Sequence, residues 1–251
     1  MLDVSGTDAL LALVSLAAGT VDAIGGGGGL LTLPALLAAG LPPHLALGTN
    51  KGQSVFGAAA ALVRFSRAGL VPLGRARWTF PLGFLGSLVG AALVLWMRPE
   101  VLRPLVLVLL VAAAAFVVLR PRIAAGRVPS AAVAPAAVLA FGVGAYDGFF
   151  GPGTGTLLIV GLAGLLALPL RQASAEAKVI NFASNLAAAL LFAIRGTVVW
   201  HTALPMAAGQ LLGGWLGAHL TVRGGERIVR WVVLGVVTAL VLKLSFDALR
   251  A

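Results

Sequence analysis

The chain has 251 residues, of which 60% are apolar and only 10% charged, with a mean hydropathy of +1.04 and no cysteine. A soluble domain carries about 25% charged residues and needs them to cover its surface, so a soluble enzyme, a disordered chain and a disulfide-stapled scaffold are all excluded. The net charge of +10 is scattered singly and in small groups between apolar runs, which is how loop charges orient a membrane protein and not how a nucleic-acid surface is built.

Those runs are long and continuous and do not alternate, so they predict a polytopic α-helical bundle and exclude a membrane β-barrel. The first ten residues, MLDVSGTDAL, contain Asp3 and Asp8 and no basic residue, so they lack the positive start of a cleavable signal peptide. Leu10–Gly40 is too long for one crossing, which takes about 20 residues. It is interrupted by Asp22 and the run Gly25–Gly29. Glycine runs are poor helix, so two short helical pieces flanking a break are expected. Pro42-Pro43 suits a helix start and opens a predicted helix over His44–Phe65, followed by Arg75–Met97 and Val101–Leu119. A basic linker, RPRIAAGRVPS, then leads into a second series. This series has a piece to Tyr146, a break over Asp147–Gly155 and a piece to Leu170. Helices near Ala173–Ile194, His201–Val222 and Glu226–Leu249 complete it.

The second series repeats the first. Shifted by 127 positions, residues 51–93 match their counterparts at 12 of 43 positions, above the chance level for so apolar a composition. Lys51 meets Lys178, Phe65 meets Phe192, and the Gly86-xxx-Gly90-Ala91 motif meets Gly213-xxx-Gly217-Ala218. A two-residue adjustment lays Asp22 on Asp147, each ahead of a glycine-rich break. The expected organisation is a first repeat over 1–120, a basic cytoplasmic linker over 121–130 and a second repeat over 131–251. Clusters of arginine at 64–77, 120–127 and 223–230, placed inside by the positive-inside rule, put both termini outside. Each half then crosses an odd number of times, so the repeats are inverted, as in secondary transporters. Whether the broken pairs are re-entrant or fully spanning stays open.

Asp22, Lys51, Asp147 and Lys178 lie in apolar surroundings. An ionisable group at membrane depth is costly and is by default a functional clue, although a buried structural Asp–Lys bridge in each half, Asp22 with Lys51 and Asp147 with Lys178, accounts for the same pattern. Gly25–Thr32 and Gly148–Thr156 form the two breaks. Irregular backbone at that depth must be buried or line a cavity, and a half-helix starting there presents N–H groups and a positive dipole end to an anion. Gly26, Gly28, Gly151, Gly153, Thr154 and Thr156 are therefore candidate binding residues, against the alternative of a close-packing seam. The motifs at Gly86–Gly90 and Gly213–Gly217 read as such seams. Lys178, Asn181 and Asn185 share one helical face, as do Lys51 and Ser54 with Asn50 nearby. These stripes suit either a polar cavity or interhelical hydrogen bonds. His44, His201 and His219 show no metal-site spacing, and most of the five tryptophans sit near segment ends, as interfacial anchors do.

At VDAIGGGGGLLTLPALLAAGLPPHLALGTNK (21–51), YDGFFGPGTGTLLIV (146–160) and EAKVINFASNLAA (176–188) the sequence resembles the sulfite exporter TauE/SafE family, also called the 4-toluene sulfonate uptake permease family. The resemblance covers nearly the whole chain. It implies transport of a small sulfur-containing or organic anion across the bacterial cytoplasmic membrane, without fixing substrate or direction.

The expected fold is thus an all-α polytopic membrane protein of two inverted repeats, each a glycine-broken pair plus three helices. The expected function is secondary transport, in the export direction, of sulfite, a sulfonate or a related anion. Lys51 and Lys178 would supply positive charge, the glycine breaks N–H groups, and Asn50, Ser54, Asn181, Asn185, Thr154 and Thr156 further hydrogen bonds. Asp22 and Asp147 would hold the lysines or carry a coupled proton. No cofactor, metal or nucleic acid is expected; the partners are the anion and the bilayer, with proton coupling and a homo-oligomer both left open. An anion channel and a cation or metal carrier using the buried carboxylates are the alternatives. A membrane enzyme is disfavoured, because no nucleophile–base pair or His/Cys/Glu cluster stands out.

Overall fold

The computed structural model describes residues 4–119 and 133–224. Among these, every regular element is a helix: α1 (Val4–Gly25), α2 (Gly29–Ala38), α3 (Pro43–Arg67), α4 (Leu73–Trp96), α5 (Pro99–Leu119), α6 (Val133–Phe149), α7 (Thr154–Leu166), α8 (Leu170–Ile194) and α9 over 200–224. The linker arginines, Trp231, Lys243, the arginines of 227–230 and the expected helix Glu226–Leu249 lie outside the described residues.

Helix boundaries follow the local signals. Pro43 opens α3 and Pro72 precedes α4, where a missing N–H costs nothing. Gly69 and Gly196 turn the chain after α3 and α8 with φ of +68° each, a conformation other residues adopt reluctantly. The first break falls at Gly26-Gly27, at φ +76° and +94°, and the second at Gly151 and Gly153, at +98° and +85°. One expectation needs correcting. The segment before the first break is not short: α1 runs for 22 residues, and its Gly6–Gly25 stretch is long and apolar enough to cross a membrane. The half-helices are α2, of 10 residues, and α7, of 13. Leu73–Trp96 and Leu170–Ile194 also meet the crossing criterion.

Polarity is distributed as lipid requires. Leu85, Val89 and Leu93 of α4 form an exposed apolar stripe, with Trp78 and Trp96 exposed towards its two ends. Inside lie Thr49, Asn50, Lys51, Gln53, Asp147, Glu176 and Lys178, all buried. A protein in water places these classes the other way round.

Both glycine motifs are packing seams, and both join the two halves of the chain. A Cβ on Gly86 or Gly90 would stand 2.2 Å from Phe141 O or 1.9 Å from Ala145 O, so α4 lies directly on α6. A Cβ on Gly213 or Gly217 would stand 2.1 Å from Leu16 O or 2.2 Å from Thr20 O, so α9 lies directly on α1. Backbones approach this closely only where side chains are absent. The fourth helix of each series thus locks onto the broken pair of the other series.

Candidate functional site

The helix carrying each lysine is 25 residues long and places it at the ninth position, Lys51 in α3 and Lys178 in α8. α3 and α8 pack against each other, and both breaks close over their middle. Interlocked packing then decides the ion pairs. Lys51 Nζ donates to Asp147 Oδ1 at 2.6 Å, and Lys178 Nζ donates to Asp22 Oδ2 at 2.5 Å. The pairing within each half expected from the sequence is therefore wrong: each lysine meets the aspartate of the other half.

Every charge has further partners. Asp147 Oδ2 accepts from the Ser184 hydroxyl, and Lys51 also reaches Asn185 Oδ1 at 3.3 Å. Asp22 Oδ1 accepts the Gly28 N–H at 3.2 Å, and Lys178 reaches Asn181 Oδ1 at 3.3 Å. A buried ion pair is stable only when its remaining lone pairs and protons are satisfied in this way. The Gly28 N–H at the start of α2 thus binds a carboxylate, that of Asp22. A Cβ there would stand 2.7 Å from both Ala18 O and Asp22 Cβ, so Gly28 also has a packing role.

A cavity of about 20 Å³ lies between the two ion pairs. A water needs roughly 10–15 Å³ by the same measure. Of the expected residues it gathers Asp22, Gly28, Asn50, Lys51, Ser54, Asp147, Gly151, Thr154, Asn181 and Asn185. The first residues of both half-helices, Gly29 of α2 and Thr154 of α7, border it together with Gly155. Asn50 is held in one orientation. Its Oδ1 accepts from Thr32 Oγ1 at 2.6 Å and from Gln53 Nε2 at 3.2 Å, which leaves the amide nitrogen of this cavity-wall residue free. Asn181 Oδ1 is taken by Lys178, which leaves its amide nitrogen free in the same way.

Four expected residues stand elsewhere. Lys178 is behind Asp22, off the cavity wall. Gly26 packs against the other break, where a Cβ would come within 2.1 Å of Thr156 N. Thr156 fastens that contact by donating to Gly25 O at 3.0 Å. Gly153 borders a separate cavity of about 210 Å³ between α5, α6 and α7. The break glycines thus divide: Gly26 sits in a packing contact between the breaks, while Gly28 and Gly151 border the central cavity.

Reading the sequence missed three side chains. Ser184 and Gln210, the latter on the cavity wall, carry no local sign of their role. Arg75, grouped by sequence with the loop arginines, is buried in the first turn of α4. Its Nε and an Nη donate to Glu176 Oε1 and Oε2 at 2.8 and 2.6 Å. Under the 127-residue shift Arg75 falls on Thr202 and Glu176 on Thr49, so this third ion pair has a neutral counterpart. There the Val199 N–H donates to Thr49 Oγ1 at 3.0 Å.

Two glycine-interrupted helix pairs closing on paired charges, in an all-helical body with apolar outer faces, define a polytopic membrane protein of the transporter class. The chain belongs to the sulfite exporter TauE/SafE family, whose model matches residues 11–244. It is 37% identical over 241 residues to the probable membrane transporter protein YfcA of Escherichia coli K12, covering 95% of this chain and 90% of that one. It is 36% identical over 245 residues to a probable membrane transporter protein of Haemophilus influenzae, covering 95% and 94%. To the probable membrane transporter protein ORF9 of Sinorhizobium sp it is 35% identical over 243 residues, covering 95% and 92%. No solved structure gives a significant match.

Proposed function

We propose that this membrane transporter carries a small oxyanion, of the sulfite or sulfonate kind, through the central cavity bordered by Lys51 and the two aspartates. The carrying observation is the convergence of the first turns of α2 and α7, Lys51 and the free amide nitrogens of Asn50 and Asn181 on one small space. All are hydrogen-bond donors, and helix N-termini favour negative charge. Asp22 and Asp147 each already accept from an ammonium group. That speaks against a cation carrier, whose ligands would have to be released first. A bound anion competes with the aspartates for the ammonium protons, so an aspartate freed on binding is the natural carrier of a coupled proton. Export matches the family's printed description and the bacterial cytoplasmic membrane is the matching location; both are part of the proposal.

The test is thermal unfolding of the purified protein with sulfite, sulfate, methanesulfonate or acetate. A ligand that binds only the folded form at about 100 times its Kd stabilises it by roughly 2.7 kcal/mol. We expect sulfite or methanesulfonate to raise the midpoint. No shift with any of the four anions would discard the proposal.

Inverted repeats complete this reading, supported by the exchanged seams and the exchanged ion pairs. They predict that a reporter domain fused after Ala125 and one fused after Ala251 report from opposite sides of the membrane. Signals from the same side would remove the inversion.

A further inference from the structure

We infer that Gln210 contacts the transported anion and sets which anion the site prefers, an inference that rests on the anion-transport reading above. Gln210 projects from α9, is 4% exposed and borders the central cavity. Its Oε1 is lodged in a notch between α1 and α3 that exists because Gly19 and Gly57 have no side chains. A Cβ on Gly57 would stand 2.4 Å from that oxygen, and one on Gly19 2.8 Å. Among the described residues the carboxamide has no hydrogen-bond partner. With the oxygen in the notch, we take the NH₂ arm of the same planar group as the part of Gln210 that borders the cavity. Buried amides are almost always satisfied, so a donor left open on a binding space marks the place of a ligand atom.

Comparing the two halves sharpens this. Position 210 corresponds to Gly83, and Gly57 corresponds to Ser184. In the second half Ser184 and Lys51 seal Asp147, whose side chain is 2% exposed. In the first half the serine is missing, and the Asp22 side chain is 23% exposed. The space that a hydroxyl would fill at position 57 is the notch holding Gln210. The site is therefore open on the Asp22 side, where Gln210 is the polar group brought in by α9. Donors then approach from three helices: Asn50 and Lys51 from α3, Asn181 from α8 and Gln210 from α9. An anion with three oxygens can engage all three directions, whereas a flat carboxylate offers two oxygens.

Binding of sulfite, methanesulfonate and acetate to wild type, Gln210→Met and Gln210→Asn tests this, read as ligand-dependent midpoint shifts and as flux competition in proteoliposomes. Methionine keeps the length and removes both polar atoms; asparagine keeps the amide but withdraws it by one methylene. We expect either change to weaken sulfite and methanesulfonate about tenfold, the effect of losing one hydrogen bond to a charged group. Acetate should change less than about twofold on the same reasoning. Unchanged affinities, or an equal loss for all three anions, would make Gln210 a packing residue and overturn the inference. If Gln210→Met fails to fold, Gln210→Asn decides alone. Wild type that binds none of the three would overturn the anion reading itself, and this inference with it.

Discussion

On the anion-transport reading, Lys51→Met and Lys178→Met should each cut anion flux in proteoliposomes by roughly tenfold or more, and pairing either with its carboxylate partner should restore folding but not flux. The partners follow from the exchanged geometry: Asp147 for Lys51 and Asp22 for Lys178. Removing one ammonium leaves a buried carboxylate uncompensated, which costs about 3–5 kcal/mol, whereas removing both charges of a buried pair is often neutral. Lys178→Met with Asp22→Asn, and Lys51→Met with Asp147→Asn, should therefore purify as monodisperse protein with near wild-type unfolding midpoints. On the anion-transport reading neither regains the positive charge that offsets desolvation of an anion. Flux should therefore stay down by roughly 10–100-fold or more without Lys51, which borders the cavity and would lose a charged hydrogen bond of about 1.5–3 kcal/mol, and should also stay down without Lys178, which acts from behind Asp22 through its charge. Lys→Arg rescues poorly as well, because a planar fork does not fit the space of a compact ammonium. Recovered flux in either double variant would reduce the two pairs to structural bridges. The uncrossed combinations, such as Lys178→Met with Asp147→Asn, leave Asp22 unpaired and strip Lys51 of its partner, so they serve as controls that remain unstable.

Glu176→Gln should cost as much stability as breaking either lysine pair. The Glu176 side chain is fully buried and takes both forks of the Arg75 guanidinium, tying α4 to α8. Neutralising it leaves a buried arginine without its carboxylate and lowers stability by about 3–5 kcal/mol, a fall in unfolding midpoint on the order of 10 °C for a chain of this length. Joining Arg75→Met to Glu176→Met removes the charge at both ends and should recover most of that loss. Among anions, the ranking of binding in Glu176→Gln stays that of wild type, since neither residue borders the central cavity. A wild-type midpoint for Glu176→Gln would remove this pair from the scaffold, and an altered anion ranking would bring it into the site.

The helices and the two breaks were legible in the sequence because their causes are local. Pro42-Pro43 marks a helix start, and the glycine run at 25–29 and Gly151-Pro152-Gly153 cannot continue a helix. Lys51, Lys178, Asp22 and Asp147 announced themselves because charge is rare in this composition and expensive at membrane depth. The 127-residue repeat and the two glycine motifs were equally visible, since both are patterns along the chain. Which charge meets which was not. Asp22 with Lys51 is the natural pair on sequence proximity, and only the ion pairs in the folded chain, in which α4 lies on α6 and α9 on α1, reveal that each lysine meets the aspartate of the other half. The same packing took Arg75 out of a loop cluster and buried it against Glu176, and brought Gln210 to the cavity from the far end of the chain. Hydropathy, helix propensity and turn chemistry act over a few residues and can be read off the chain. Ion pairing and cavity lining depend on how whole helices interlock across more than a hundred residues, and that was decided only by the tertiary structure.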